Sequence, residues 1–189
     1  MQKKINIKKI NNKPLYEGRS FRLNLESYQQ IITDLDDQEV GRVDIERGIV
    51  RHNGASIVVA INNDEKLLLI KQYRYPIDKL NFEFVCGGIE KGSDPLETAA
   101  RELQEEGGVI AGKLEYVSEL IPSPGFCDEI QYLFLARDLS PSSLPLDEDE
   151  FIEVCYFSLS EIEEMIRTGL ILDAKSIAAL YILKAKGLI

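Results

Sequence analysis

The chain has 189 residues, of which 44% are hydrophobic and 29% charged, and this composition is typical of one globular domain with a small appendage. Its 22 basic and 32 acidic residues give a formal net charge of −10, which disfavours a nucleic-acid-binding face. The three cysteines are widely spaced and no apolar stretch approaches roughly 18 residues, so we expect no disulfide framework, no membrane span and a soluble, cytoplasmic protein.

The beginning of the chain is predicted to form a small β-rich domain over residues 1–50. Short alternating patterns such as residues 21–25 are typical of strands, and polar turns such as residues 34–38 separate them. Denser apolar runs follow, and they predict the strands of a main sheet at residues 56–61, 66–70 and 82–85. We therefore expect a second domain over residues 51–189.

A helix is predicted after these strands, at residues 95–106. Asp94 is its predicted N-cap, Pro95 fits the first helical position, and Glu97 completes an Asp-x-x-Glu capping box. The apolar residues at helical spacing define the face that we expect to be buried. They are Leu96, Ala99, Ala100 and Leu103.

The remainder of the chain is predicted to hold three more strands and two helices. The strands are expected at residues 114–120, 131–136 and 153–157. Ser158 and Glu161 form a capping box that predicts the start of the first helix, and Asp173 begins the second. Because strands and helices do not alternate regularly, the sequence favours an α+β fold.

Three glutamates share one face of the predicted helix at residues 95–106: Glu102, Glu105 and Glu106. Carboxylates at this spacing repel one another, and they lie near the end of the helix where the dipole favours cations. One interpretation is a solvated acidic face. The other is a site for a hard divalent cation, because Mg2+ and Mn2+ prefer anionic oxygen ligands and would cancel the repulsion.

The sequence around this helix resembles the Nudix box, a family signature written G-x5-E-x7-R-E-U-x-E-E-x-G-U, in which U is aliphatic. The matching residues are Gly87, Arg101, Glu102, Leu103, Glu105, Glu106, Gly108 and Val109. Ser93 stands where the box has glutamate, and Asp94 or Glu90 is a candidate to brace Arg101 in its place. The resemblance implies a Nudix fold, an α/β/α sandwich with a mixed β-sheet, preceded here by the small β-rich domain.

The resemblance also implies that metal ions activate water for attack on a diphosphate. The metal ligands that it implies are three carboxylates and one backbone carbonyl, from Glu102, Glu105, Glu106 and Cys86. The implied cofactor is Mg2+, with Mn2+ as an alternative. Arg101 and Glu105 are expected to be catalytic. Gly87 and Gly88 are expected to line the substrate site, since a residue without Cβ allows close approach to a ligand.

Features outside the box resemble the ADP-ribose pyrophosphatase branch of the family. The loop at residues 123–129 is similar to the loop that marks this branch, and it ends in Glu129, a candidate substrate contact. Arg74 matches an arginine that contacts the substrate phosphates, a task that suits the bidentate guanidinium. Arg47 matches an arginine that reaches the ligand from the partner subunit, so the resemblance implies a homodimer.

The general base implied by the resemblance is Glu148, in an acidic loop, with Glu129 and Glu105 as alternatives. Aromatic residues of the β-rich domain are candidates to stack on the adenine. They are Tyr16, Phe21 and Tyr28. Residues 172–177 resemble a segment of the same branch that we interpret as structural support, with a packed face formed by Ile177, Leu180, Tyr181 and Leu183.

The implied reaction is metal-dependent hydrolysis of ADP-ribose to AMP and ribose 5-phosphate, with no nucleic acid or membrane as partner. The same chemistry on a GDP-sugar or UDP-sugar is an alternative, because nothing in the sequence reads the base. A Nudix domain kept as a non-hydrolysing ligand sensor is another, and Ser93 favours it. The third alternative is an acidic scaffold whose stability does not depend on divalent metal.

Overall fold

The computed structural model describes residues 4–142 and 151–189 of the chain. The fold divides into two compact units, one formed by Met1–Asn53 with Ser123–Glu129 and the other by Gly54–Pro122 with Ile130–Ile189. None of the helices in the described part of the chain is both long and apolar enough to span a membrane.

The N-terminal unit is built on an antiparallel sheet of three strands in the order β1-β2-β3. Their bounds are Lys4–Glu17 for β1, Phe21–Thr33 for β2 and Glu39–His52 for β3. These strands are longer than the short ones that the sequence predicts, because β1 and β2 pair from Lys4 opposite Thr33 to Glu17 opposite Arg22. The predicted turn at residues 34–38 is present, and the Asp34 carboxylate accepts hydrogen bonds from backbone N–H groups within it.

A buried carboxylate lies within this sheet. Glu26 on β2 has no exposed surface, and its oxygens are 2.6 Å from Nη2 of Arg51 and 2.8 Å from Nζ of Lys9. The Tyr28 hydroxyl also donates a hydrogen bond to it. The hydrogen bonds from Arg51 are the main reason why the pKa of Glu26 falls from 4.5 to about 2, against the opposing effect of burial.

Replacing Arg51 with methionine is expected to lower the free energy of unfolding at pH 7 by about 3 kcal/mol, because it removes the main partner of a buried charge. Folding lowers the pKa of Glu26, so the stabilisation is present above pH 4.5 and is lost as the pH falls towards about 2. Urea unfolding of the wild type and of Arg51→Met, from pH 7 to pH 3, measures this difference in the free energy of unfolding. The control is Arg42→Met, which removes an exposed ion pair with Glu39. Equal stability of the two variants at pH 7 would contradict the account.

In its described residues, the second unit contains seven strands in two sheets. The strands are β4 (Ala55–Ala60), β5 (Leu67–Arg74), β6 (Lys79–Glu83), β7 (Val85–Gly88), β8 (Val109–Leu120), β9 (Gln131–Pro141) and β10 (Ile152–Phe157). One sheet has the order β7-β4-β9-β8 and is mixed, since β4 and β9 are parallel and the other pairs antiparallel. The other sheet is antiparallel, in the order β10-β5-β6.

Three helices complete this unit: α1 (Pro95–Glu105), α2 (Leu159–Arg167) and α3 (Ala174–Ala185). Alternate residues of β4 point to opposite faces, as the pleat requires. Val58 and Ala60 pack in a core with residues of α1, whereas Ile57 and Val59 pack in a second core with residues of α2 and α3. The helices therefore cover both faces of the sheet, which confirms the predicted α/β/α sandwich and the α+β class.

The prediction of a single strand at residues 82–85 is wrong, because these residues belong to two strands. β6 ends at Glu83 and pairs with β5, whereas β7 begins at Val85 and pairs with β4 in the other sheet. Phe84 lies at the change of sheet, and its N–H donates to Oγ of Ser176 at 2.9 Å. This tertiary bond satisfies the backbone at the point where the chain leaves one sheet for the other.

The predicted helix faces need three corrections. In α1 the buried positions include Thr98 and Glu102, whereas Leu96 is 45% exposed and Ala100 is only partly buried. The buried face of α1 is therefore rotated towards Glu102 relative to the predicted one. Asp94 caps α1 by accepting from the N–H of Leu96, but among the described residues Glu97 makes no reciprocal capping bond. In α3 Tyr181 is exposed, and Ser176 is buried on the packed face instead.

Candidate active site

The end of β7 lies against the second half of α1. Glu102 is 9% exposed, and a Cβ atom added to Gly87 would lie 1.9 Å from Oε1 of its carboxylate. Only glycine leaves room for Glu102 at this point, because real Cβ atoms do not approach other atoms so closely. A Cβ on Gly88, the next residue, would meet nothing within 4 Å. The two glycines that the sequence predicts to line the site therefore differ in their spatial constraints.

Glu106 joins the end of α1 to the same strand. Its side chain is 5% exposed, and its Oε2 accepts a hydrogen bond of 3.0 Å from the backbone N–H of Cys86. Burial is the main cause that raises the pKa of the Cys86 thiol to about 12. Without a bound metal the thiol is therefore protonated near neutral pH. The backbone carbonyl of Cys86 stays the predicted metal ligand.

Arg101 lies across two of the predicted metal ligands. Its guanidinium donates to Glu102 at 2.5 Å and also to Glu105. The sequence analysis offered Asp94 or Glu90 as the brace, but neither bonds Arg101 among the described residues, and Asp94 is engaged in capping α1. In this chain the guanidinium of Arg101 is instead held by two glutamates of the box, Glu102 and Glu105.

Most of the possible metal ligands on α1 and at the end of β7 are carboxylates, and oxygen ligands suit a hard divalent cation such as Mg2+ or Mn2+. The space left by the missing Cβ of Gly87 is occupied by the carboxylate of Glu102. Within residues 4–142 and 151–189, no group of three or more His, Cys, Asp or Glu side chains is arranged to hold a metal ion. Arg101 supplies the positive charge between Glu102 and Glu105, so binding of a metal requires these ion pairs to open. The predicted ligand set fits by its chemistry and stays a prediction.

Arg74 is held at the end of β5 by a residue that the sequence analysis missed. Its Nε and Nη2 each donate to a carboxylate oxygen of Glu83 at 2.8 Å. Glu83 has no exposed surface, and Lys175 at the start of α3 donates to it as well. The signal available in the sequence was an acidic residue inside the otherwise apolar run at residues 82–85, since acidic residues are seldom buried without a cation as partner.

Two predicted residues belong to the N-terminal unit. Arg47 on β3 donates from Nη1 to the carbonyl oxygen of Glu46 at 2.9 Å. Glu129 ends the segment that packs on β3, and its Oε1 lies 3.8 Å from Nδ1 of His52. Glu148 lies outside the described residues. The structure therefore brings together the residues of α1 and β7, and it describes Arg47 and Glu129 in a separate unit.

The candidate stacking residues have different surroundings. Tyr16 and Phe21 lie together on the N-terminal sheet, with their ring centroids 5.5 Å apart, and both are exposed. The Tyr28 hydroxyl is committed to Glu26. Exposed rings at Tyr16 and Phe21 are available to a ligand, which favours them over Tyr28 as stacking residues.

Comparison with known proteins identifies the class to which this site belongs. The NUDIX domain model matches residues 50–180. The Methanol dehydrogenase activator of Bacillus methanolicus is 36% identical over 179 residues, which cover 94% of this chain and 92% of that protein. The ADP-ribose pyrophosphatase of Bacillus subtilis (strain 168) is 40% identical over 142 residues, 74% of this chain and 77% of that protein.

The fold agrees with these sequence relationships. A crystal structure of an ADP compounds hydrolase matches with a TM-score of 0.76 and 25% sequence identity, and the match covers 97% of each chain. The helix α1, with its glutamates against β7, lies within the matched domain. The chain therefore belongs to the Nudix family and is a Nudix hydrolase, as the box in its sequence predicts.

Proposed function

We propose that this Nudix hydrolase cleaves the diphosphate of ADP-ribose to AMP and ribose 5-phosphate, with Mg2+ as the cofactor. The observation that carries the proposal is the 40% identity to an ADP-ribose pyrophosphatase over 74% of this chain. The site supports it, because Glu102 and Glu106 are both buried and lie one helical turn apart on α1, and carboxylate oxygens are the ligands that a hard divalent cation prefers.

In the proposed reaction a water oxygen forms a bond to one phosphorus while the bridging P–O bond breaks, and the water proton passes to a general base. When bound, Mg2+ neutralises the diphosphate and acidifies the attacking water. Glu102, Glu105 and Glu106 hold the metal with the carbonyl of Cys86. Arg74 binds phosphate oxygens, for which a guanidinium that never loses its charge is well suited.

We propose Glu148 as the general base, with Glu129 and Glu105 as alternatives. Glu105 is ion-paired with Arg101 in the structure, which lowers its availability to accept a proton while that pair is intact. Glu129 lies near His52 on the N-terminal unit. The base in this proposal is therefore a residue of the acidic part of the sequence between β9 and β10.

The N-terminal unit is proposed to mediate a homodimer in which Arg47 reaches the substrate of the partner subunit. Its sheet leaves many apolar side chains exposed, and exposed apolar surface of this extent is typical of an interaction site. These residues are Ile5, Ile7, Ile10, Leu15, Val40 and Val43. We propose a cytoplasmic location because Cys86, Cys127 and Cys155 are all free thiols.

The experiment that tests the proposed reaction is separation of the products by ion-exchange chromatography after incubation with ADP-ribose. We expect AMP and ribose 5-phosphate in equal amounts with Mg2+, and unchanged substrate with EDTA. Release of free phosphate or of adenosine would indicate a different bond, and equal conversion with EDTA would contradict the metal-dependent proposal.

A second candidate function is activation of a dehydrogenase partner. It is favoured by the relative named Methanol dehydrogenase activator, which matches 94% of this chain, including most of the N-terminal unit. This candidate is compatible with hydrolysis, and it predicts that the chain changes the rate of an alcohol dehydrogenase only when the carboxylates of α1 are intact.

Mg2+ is expected to raise the melting temperature of the protein by about 5 °C at a hundredfold excess over its Kd, because a ligand that binds only the folded state stabilises it. Differential scanning calorimetry with MgCl2 and with KCl at the same ionic strength measures the effect, and the KCl sample controls for screening. Identical melting temperatures would favour the alternative of an acidic scaffold without a metal site.

A further inference from the structure

A row of charged groups runs from β5 through β6 to the first turn of α3. Glu83 lies at its centre with no exposed surface and accepts hydrogen bonds from Arg74 on one side and from Lys175 on the other. Lys175 is also 3.0 Å from the carboxylate of Asp173, the N-cap of α3. Only 12% of the Lys175 side chain is exposed, so this lysine lies within the protein rather than on its surface.

Stability alone does not account for this arrangement. Buried ion pairs lose hydration, and well-packed apolar side chains in their place are often equally stable. Lys175 also occupies the second position of α3, where the positive end of the helix dipole disfavours a cation. A lysine at this position is therefore unfavourable for the helix itself and is retained by its contacts with Glu83 and Asp173.

The geometry of Arg74 shows what these contacts achieve. Glu83 accepts hydrogen bonds from the edge of the guanidinium formed by Nε and Nη2. Within the described residues, Nη1 makes no hydrogen bond. The Arg74 side chain is 39% exposed, and its charge interacts with that of Glu106. A guanidinium fixed along one edge presents its remaining N–H groups in a defined direction, as recognition of phosphate oxygens requires.

We propose that Glu83 and Lys175 are positioning residues that fix the guanidinium of Arg74, so that its Nη1 edge binds the diphosphate of the substrate. Lys175 fixes the carboxylate of Glu83, and Glu83 fixes Arg74. The inference rests on the proposed function, because it assigns the phosphate contact to Arg74. It adds two residues outside the Nudix box, one of them from the last helix of the chain.

The test is a double-mutant cycle of Glu83→Gln and Arg74→Ala, with KM and kcat for ADP-ribose measured at saturating Mg2+. Glu83→Gln alone is expected to raise KM about tenfold and to change kcat less than about twofold. The reason is that the guanidinium of Arg74, a charged hydrogen-bond donor, then binds the substrate more weakly. In the Arg74→Ala background the same change is expected to alter KM less than about twofold, since Glu83 acts through Arg74.

Two further variants test the inference in case Glu83→Gln does not fold. Lys175→Met, with Glu83 and Arg74 intact, is expected to raise KM about threefold, because the carboxylate keeps one of its partners. Lys184→Met removes a lysine from the same helix that is ion-paired with Glu163, and it is expected to leave KM unchanged. Thermal melts of every variant establish that the compared proteins are folded.

The outcomes separate this inference from the proposed function. Turnover by the wild-type protein, with KM of folded Glu83→Gln unchanged, overturns the inference alone. An equal rise in KM in the presence and absence of Arg74 also overturns it, because Glu83 then acts independently. No turnover by the wild-type protein and no heat of binding with ADP-ribose overturn the proposed function and the inference together.

Discussion

Replacing Glu106 with glutamine is expected to lower kcat for ADP-ribose by about a thousandfold, equivalent to about 4 kcal/mol in the activation barrier. Glutamine keeps the shape of the side chain and an oxygen that accepts from the N–H of Cys86, a contact of 3.0 Å in the structure. It removes the negative charge that a divalent cation needs. The fold is therefore expected to persist while the metal site is lost, which kinetics and circular dichroism measure together.

The matched control for this prediction is Glu97→Gln, on the exposed side of the same helix. We expect it to retain at least about half of the activity and to change the free energy of unfolding by about 0.5 kcal/mol or less. If Glu106→Gln behaves like Glu97→Gln, then the glutamates of α1 form a solvated acidic face and the proposed metal site is wrong.

Replacing Gly87 with alanine is expected to lower kcat by about a hundredfold, the scale of loss that a displacement of about 1 Å in a catalytic group can cause. A Cβ at this position would lie 1.9 Å from both Cδ and Oε1 of Glu102, so the carboxylate must move away from β7. Steady-state kinetics with ADP-ribose over a range of Mg2+ concentrations measures the effect, and the Mg2+ requirement is expected to rise as well.

Gly88→Ala is a closely matched control, because it adds the same methyl group one residue further along β7. Nothing lies within 4 Å of the added atom, and the residue does not have a positive φ angle. We therefore expect the Mg2+ requirement to stay close to that of the wild type, because the added atom does not displace Glu102. A change in KM alone would report the substrate contact that the sequence predicts for Gly88. Similar losses in the two variants would show that backbone flexibility at both glycines, rather than the position of Glu102, controls the reaction.

Much of this fold follows from local sequence patterns. The N-cap of α1 at Asp94 and the capping box of Ser158 and Glu161 are confirmed, because capping depends on residues within one helical turn. The alternating and apolar runs located the strands of the second unit because these runs are also local patterns of the sequence. Where residues 82–85 divide between two sheets, the N–H of Phe84 donates to Ser176, which is distant in the sequence, and no local pattern encodes this contact.

The candidate site shows the same division between local and long-range information. The glutamates of α1 and Gly87 belong to a continuous motif of the sequence. In the structure Gly87 lies against Glu102, and the N–H of Cys86 donates to Glu106. Glu83 and Lys175 are separated by 92 positions, so only the folded chain reveals their contact. The bonds of Arg101 to Glu102 and Glu105 were also unexpected, because the sequence shows that Ser93 lacks a carboxylate but not which anion takes its place.

The central claim is that this Nudix hydrolase uses a divalent metal to cleave ADP-ribose in preference to other nucleoside diphosphate compounds. The most direct measurement is kcat/KM for ADP-ribose, GDP-mannose, UDP-glucose, NADH and diadenosine polyphosphates, from phosphatase-coupled phosphate release with Mg2+ and with EDTA. The account predicts Mg2+-dependent release with the highest kcat/KM for ADP-ribose. A higher value for a GDP-sugar or UDP-sugar would contradict the proposed substrate, and no release from any compound by folded protein would contradict the proposed reaction.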